Sequence, residues 1–153
     1  MARLASSKVI DQIAKTLTDA DVAAGRVYTS RFWPLSEDEL PAVRVVAEDE
    51  VIEATSINLP LRLVHEMTVA LDCFVRAVDD ADDAMHEIAY AVMLALFGTD
   101  ESTTLQPLQS VQMAPVGISR GVGDGDEAAL ARITVRLRVL FQTRSNAPEN
   151  LSG

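Results

Sequence analysis

Residues 78–88 read VDDADDAMHEI and place four aspartates within five positions, followed by a histidine and a glutamate. Three of these aspartates, Asp79, Asp80 and Asp83, have the spacing DDxxD. Carboxylates one helical turn apart can share hard cations, so this spacing could hold magnesium ions on a diphosphate substrate. The same residues also precede an apolar pattern of helical period, where aspartates cap the free backbone N–H groups and complement the positive end of the helix dipole.

We favour the helix start over the metal site. Prenyl-transferring enzymes that use DDxxD need a large all-helical cavity and a second acidic cluster, and this sequence offers neither. A magnesium-dependent enzyme that uses Asp79, Asp80 and Asp83 stays as the less favoured alternative. The expected set of cofactors, metal ligands and catalytic residues is therefore empty.

The remaining reactive residues also favour structural roles. His86 and Glu87 lie on the exposed side of an acidic helix, whereas catalytic metals usually have three protein ligands in a shielded pocket. His65 and Glu66 are neighbours in a strand pattern, so they point to opposite faces, and His65 is expected in the core or at its rim. The glycine-rich residues 121–126 lack the Lys-Ser/Thr pair of a phosphate loop. No nucleophile motif is present, and the sequence predicts a protein that is not an enzyme.

Length and charge limit the class of protein further. A chain of 153 residues with a mean hydropathy of +0.14 fits one globular domain, predicted over residues 1–144 with a disordered tail at 145–153. The net charge of −10 argues against a nucleic-acid reader and against binding to anionic membranes. The longest apolar run has ten residues, too few for a membrane span, and the N-terminus lacks a secretory signal, which favours the cytoplasm. Cys73 is expected to be an inert core thiol.

Periodicity predicts two helices and several strands. The first helix begins at Ser6 or Ser7 and ends near Asp19, and the second follows the aspartates and stops at Gly98. Alternating or β-rich segments predict the strands, and Pro115 marks an edge or a bulge in one of them. The predicted strands are 26–28, 42–47, 61–76, 108–119 and 132–142.

In the last strand the alternation is strict. Ile133, Val135, Leu137 and Val139 are expected to be buried, with arginines on the opposite face. We interpret Arg132, Arg136 and Arg138 as cross-strand partners of carboxylates such as Glu66 and Asp72.

The second helix carries more apolar surface than one sheet can cover. Tyr90, Met93, Leu94 and Phe97 lie away from its main apolar stripe. A helix that is apolar on all sides needs burial from two directions, and a neighbouring subunit could supply the second. These four residues are the candidate subunit interface.

The element order, together with two local signatures, resembles the tail-terminator family of long-tailed bacteriophages, the group of minor tail protein U. One signature is Arg31 and Pro34 followed by an acidic loop and LPAVRV, which starts at Leu40 and Pro41. The other is GDGDEAALARITVRLRVLFQ, similar to the closing loop and strand of the family. The resemblance covers about residues 8–143, while the tail after Arg144 and the strongly apolar second helix depart from it.

The resemblance implies an α/β protein of the α+β type, a mixed and mostly antiparallel sheet with two helices packed on one face. It also implies a homo-oligomer, a hexameric ring that caps the completed tail tube, stops its polymerisation and meets the head-side connector protein. DNA would pass through the bore without sequence-specific binding, and the acidic charge would keep it from sticking. The protein would belong to the neck end of the virion tail, and to the host cytoplasm during assembly. The alternative is another phage neck or tail-tube component.

Two acidic, conformationally permissive loops are the candidate axial contacts of such a ring, because loops of this kind often form surface contacts. They comprise Ser36, Glu37, Asp38 and Glu39 in the first loop and Gly121, Gly123, Asp124, Gly125 and Asp126 in the second.

The cap interpretation of the aspartates can be tested directly. Replacing Asp79 and Asp80 together by Ala should lower the free energy of unfolding by about 1 kcal/mol, the usual scale of a lost helix cap. The melting curve should be unchanged by EDTA and by magnesium. Tight, stoichiometric magnesium binding that the double variant loses would overturn the cap interpretation.

Overall fold

A computed structural model describes residues 3–29, 40–76, 81–98, 104–105, 108–122 and 130–152. Two α-helices, one 3-10 turn and seven strands occur in these ranges. In chain order they are α1 (Ala5–Asp19), the 3-10 turn (Val22–Gly25), β1 (Val27–Tyr28), β2 (Ala42–Ala54), β3 (Arg62–Arg76), α2 (Ala81–Phe97), β4 (Thr104–Leu105), β5 (Leu108–Val122), β6 (Leu130–Arg144) and β7 (Ala147–Ser152).

The strands form one mixed sheet in the order β1-β2-β3-β6-β5-β4, and β7 pairs with β6 beside this path. Only β1 and β2 run parallel, and every other adjacent pair in the described sheet is antiparallel. The longest pairing joins β3 to β6 without a register shift, from Arg62 opposite Arg144 to Arg76 opposite Leu130. The predicted fold class, a mixed and mostly antiparallel sheet with two helices, is confirmed.

Both helices pack on the same face of the sheet. The core joins one stripe of α1 and one of α2 to the odd-numbered residues of β3 and β6, which share one sheet face. Ile133, Val135, Leu137 and Val139 are at most 1% exposed, as predicted. Arg132, Arg136 and Arg138 occupy the even positions and therefore lie on the face without helices, also as predicted. The main core side chains are Val9, Ile13, Leu17, Val43, Met67, Leu71, Met85, Ile88, Val92, Leu137 and Phe141.

The helix ends differ in part from the prediction. Leu4 precedes α1 and its side chain makes no capping bond, so Ser6 and Ser7 lie inside the helix and the predicted serine cap is wrong. α2 begins at Ala81 with Asp82 and Asp83 in its first turn, whereas Asp79 and Asp80 fall outside the described residues.

The predicted stop at Gly98 is confirmed. Its N–H donates to the carbonyl oxygen of Leu94 at 2.9 Å, and a Cβ on Gly98 would lie 2.2 Å from that oxygen. Any larger residue would need the chain to shift at this position.

The C-terminal tail corrects the prediction for 145–153. Residues Ala147–Ser152 form β7, antiparallel to the end of β6, so they are not disordered. Leu151 is partly buried against the core, and the N–H of Ser145 donates to the carbonyl oxygen of Leu61 at 2.9 Å. The short polar sequence gives no strand periodicity, and the available edge of β6 supplies the hydrogen bonds that organise it.

Two irregularities shape the outer strands. The register of β5 shifts between Pro115 and Gly117, which confirms the predicted bulge at this proline. β2 is longer than the predicted strand at 42–47 and continues to Ala54 through a second shift between Ala47 and Asp49. No described helix is long and apolar enough to cross a membrane.

Leu137 tests the assignment of the two sheet faces. Leu137→Ala should lower the free energy of unfolding by roughly 2 to 5 kcal/mol, because it leaves a cavity in a fully buried site. Arg138→Ala, one residue away on the exposed face, is the matched control and should change it by less than about 1 kcal/mol. Chemical denaturation of both variants measures the difference, and equal losses would contradict the assignment.

Candidate assembly surfaces

The four candidate interface residues of α2 divide into two pairs. Tyr90 and Leu94 are 68% and 56% exposed, an unusual state for large apolar side chains on a helix. Met93 and Phe97 are partly buried and pack against the core of their own chain. The exposed part of this predicted interface is therefore centred on Tyr90 and Leu94.

An apolar groove of about 730 Å³ lies beside this pair, between α2 and the 3-10 turn. Small side chains of α2, including Ala84, Ala91 and Ala95, form one side, and Leu40 and Pro41 contribute to the wall.

Arg26 holds the Leu40–Pro41 wall in place. Its guanidinium donates to the carbonyl oxygens of Pro41 at 2.9 Å and Leu40 at 3.3 Å. The backbone N–H of Val43 returns a bond to the carbonyl oxygen of Arg26 at 2.9 Å. Leu40 and Pro41, chosen from the sequence as signature residues, thus contribute to the shape of the groove.

A hairpin segment, the arm, extends from residue 48 in β2 to residue 62 in β3, and the sequence did not predict it as a contact surface. Nearly all of its residues are exposed, and its tip carries Ile57 and Leu59 at 96% and 83% exposure. The N–H of Thr55 donates to the carbonyl oxygen of Arg62 at 2.9 Å and closes the tip. Isolated exposed apolar residues are ordinary, but two large apolar side chains this exposed and two positions apart are typical of a contact site. The signal available in the sequence was the uncharged run 54–61, which follows the acidic end of β2.

His65 lies at the root of the arm and is 7% exposed, which confirms its predicted place in the core or at its rim. Its Nδ1 lies 2.8 Å from a carboxylate oxygen of Glu50, and its Nε2 lies 2.7 Å from the hydroxyl of Thr143. The imidazole also stacks on Phe141, with ring centroids 4.6 Å apart. These contacts join β2, β3 and β6 at the base of the arm.

The sheet has two free edges within the described residues. β1 pairs only with Val43 and Arg44, which leaves the edge of β2 from Val45 to Ala54 without a partner strand. On the other side, β4 pairs with β5 only at Leu108 and Gln112, so the edge from residue 113 to 122 is free. Each free edge carries exposed aliphatic residues, namely Val51 and Ile52 on β2 and Val116 and Ile118 on β5.

Charged and polar contacts cover the sheet face that lacks helices. Asp72, which is 7% exposed, accepts a bond from Arg44 at 2.8 Å and another from the hydroxyl of Thr134 at 2.7 Å. The guanidinium of Arg44 also lies over the ring of Phe74, 5.5 Å from its centroid. Asp72 therefore pairs with β2, and the expectation that it partners a β6 arginine is wrong, because the Arg44 side chain is directly opposite.

The β6 arginines reach other carboxylates. Arg136 donates to Glu48 at 2.9 Å and to the hydroxyl of Ser119 at 2.9 Å. Arg138 lies 4.0 Å from Glu66, as predicted for that pair.

Several predicted site residues fall outside the described ranges. They are Arg31, Pro34, Ser36, Glu37, Asp38, Glu39, Asp79, Asp80, Gly123, Asp124, Gly125 and Asp126. Gly121, at the start of the second loop, lies in β5 opposite Arg132. Asp83 and His86 are exposed on α2, and the described residues contain no group of three His, Cys, Asp or Glu side chains arranged to hold a metal ion.

Comparisons with known proteins locate this architecture among solved structures. The sequence matches no family model and no curated protein. Thirty-three chains of solved structures are similar, and one of them is from the virion of a native gene transfer agent (GTA) particle. That alignment covers 91% of this chain and 98% of the other, with a TM-score of 0.55 and 17% sequence identity. The two chains share a fold. At this identity the likeness concerns the fold alone.

Cys73 provides a test of the core beneath these surfaces. Burial raises the pKa of its thiol from 9.0 to about 12, and the negative charge of Asp72 adds to the rise. Thiol reagents at pH 8 should modify the folded protein at least a hundredfold more slowly than the denatured protein, since the thiolate is the reactive form. Because the pKa is raised on folding, this contribution to stability is complete below about pH 9 and is lost as the pH rises toward 12. Rapid labelling of the native protein would contradict the burial of Cys73.

Proposed function

We propose that this chain is a structural component of a phage-like virion that closes into a ring on the end of the tail tube, with six copies in the ring as the resemblance implies. The ring stops tube polymerisation and presents its other side to the head-side connector. The observation that carries the proposal is the pair of free, aliphatic sheet edges, on a fold shared with a chain of a gene transfer agent virion.

The directions of the edge strands suit a head-to-tail contact. β2 and β5 run in opposite directions in the sheet, because three antiparallel pairings separate them. When the β2 edge of one copy meets the β5 edge of the next, the new pair is antiparallel and the alternation continues. Such a contact uses two different patches on each subunit. It gives a closed ring when the rotation from one subunit to the next is a whole fraction of a full turn.

The two free edges are also staggered. The free part of β2 lies level with Leu63–Leu71 of β3, whereas the free part of β5 lies level with Met67–Val75. Joining staggered edges tilts the strands relative to the ring axis, and closed sheets require such a tilt. Ring closure also removes both edges, which are otherwise sites of uncontrolled pairing.

The one-sided helix layer supports one orientation of the subunit in the ring. Both helices cover the same sheet face, so a subunit is wider on that side than on the bare side. In a ring the wider layer fits the larger circumference. The helices therefore lie outside, and the bare sheet face lines the bore.

The axial surfaces differ at the two ends of a subunit. The arm extends from the end of the sheet where β3 begins, and the groove beside Tyr90 and Leu94 lies at the end where β3 finishes. A tail terminator needs this kind of asymmetry, since one side of the ring must bind the tube and the other side must not bind a further tube subunit. We propose axial contacts at the arm on one side and at the groove and the loops 36–39 and 121–126 on the other. Tyr90 and Leu94, on α2 beside the groove, belong to the lateral contact in this proposal.

Complementation between two edge variants tests the ring. Ile52→Lys blocks the β2 edge and Ile118→Lys blocks the β5 edge, since an edge lysine opposes strand addition. Each variant alone should sediment as a monomer. Their equimolar mixture retains one intact interface and should form a dimer and nothing larger. Rings from either single variant would contradict an interface made by these two edges.

Tube length tests the function itself. Wild-type protein added to polymerising tail tubes should cap their ends and shorten them, as measured by electron microscopy. Leu94→Asp tests the lateral contact, and a variant with Glu37, Asp38 and Glu39 changed to Lys tests the axial loop. Incorporation along the tube, instead of at its end, would identify another tube or neck component.

A further inference from the structure

The bare sheet face concentrates the positive charge of an acidic protein. Register assigns every even position of β3 and β6 to this face, together with Arg44 and its neighbours on β2. Seven of the thirteen basic residues of the chain lie here, and all seven are arginines. They are Arg44, Arg62, Arg76, Arg132, Arg136, Arg138 and Arg144.

The charge balance of this face is opposite in sign to that of the rest of the chain. The acidic residues on the face of β2, β3 and β6 are five, namely Glu48, Asp49, Glu53, Glu66 and Asp72. Seven arginines and five carboxylates give this face a net charge of +2 among the described residues. The other six basic and eighteen acidic residues of the sequence carry −12.

Three of the arginines hold no carboxylate of the described chain. Arg62, Arg132 and Arg144 are exposed, whereas Arg44, Arg136 and Arg138 each lie within 4.0 Å of a carboxylate oxygen. Arg62 and Arg144 stand directly opposite each other on neighbouring strands, where like charges are destabilising. An anion between them would offset that repulsion.

The face is shallow beside these arginines. β5 contributes only uncharged residues to it, and two of them, Gly117 and Gly121, have no side chain. The Arg132 guanidinium lies over Gly121, 3.4 Å from the position of an added Cβ. From Arg132 to Arg144 the strand runs about 40 Å, more than one turn of duplex DNA at about 34 Å.

We propose that this arginine face contacts the phosphate backbone of duplex DNA in the bore of the assembled ring. The inference rests on the proposed ring, because it needs the bare faces of the subunits to converge on one channel. Arginine suits phosphate oxygens through its planar, forked set of donors, and the contacts carry no sequence information. A single subunit at −10 repels DNA as a whole, so binding belongs to the ring.

The test compares two triple variants with the same net charge. Arg62→Gln, Arg132→Gln and Arg144→Gln remove the three arginines that have no carboxylate partner among the described residues. Arg3→Gln, Lys8→Gln and Lys15→Gln remove three exposed cations at or near α1. Both variants have a formal net charge of −13, three lower than the −10 of the wild type. Ring formation is measured first by sedimentation and negative-stain microscopy, and failure of the wild type at this stage overturns the proposed function rather than the DNA contact.

Assembled rings are then titrated into a labelled 30-base-pair duplex of arbitrary sequence, from 25 to 200 mM NaCl. The wild-type ring and the α1 control should bind, with affinity falling steeply as salt rises. The arginine-face variant should bind at least tenfold more weakly at 25 mM and show a shallower salt dependence. Equal binding by the two variants, or no binding by the wild-type ring, would overturn the proposal. If the wild-type ring binds poly-glutamate as tightly as the duplex, the face is a site for an acidic protein and the DNA proposal is overturned.

Discussion

The uninterrupted antiparallel pairing of β3 with β6 is the constraint from which the other surfaces follow. Fifteen consecutive residue pairs, from Arg62 opposite Arg144 to Arg76 opposite Leu130, fix which side chains share a face. A slip of β6 by one residue against β3 would move Leu137 into solvent and place Arg136 under the helices. Burial of the aliphatic face against α1 and α2 opposes that slip. The same register therefore sets the core, the bare arginine face and the levels at which the outer strands end.

The outer strands depart from this regular centre, and the surfaces that we propose for assembly lie on their irregular or unpaired parts. β2 continues into the arm beyond a register shift between Ala47 and Asp49, and β5 extends beyond the two-residue β4 with a register shift between Pro115 and Gly117. A fully covered sheet would be a stable monomer without a contact surface. Here the covered centre supplies stability, and the uncovered halves of β2 and β5 retain backbone groups that a neighbouring copy can satisfy.

Sequence patterns predicted the elements whose periodicity one chain can satisfy by itself. The alternation from Ile133 to Phe141 and the apolar stripe of α2 identified a strand and a helix, because each buries one face against the core. β7 was missed because its pairing depends on an edge that only the folded sheet presents. The arm was missed as a surface because exposure is a property of the fold, and the partner of Asp72 was assigned wrongly because Arg44 becomes its neighbour only through the register of β2.

Net charge is a property of the whole chain, whereas a contact responds to the charge that faces it. At −10 the sequence predicts repulsion of DNA by the protein as a whole. The sheet separates the charges, because a strand must send alternate residues to opposite faces and β6 has arginine at four of its outward positions. If that face lines a channel, several copies bring it together while the acidic surfaces point away. Arg44, Arg136 and Arg138 lie 2.8 to 4.0 Å from carboxylates that offset their charge, so we expect the field in the channel to depend mainly on Arg62, Arg132 and Arg144. Such a lining favours weak, salt-sensitive contact with passing phosphates over tight binding, which suits a channel that must let DNA move.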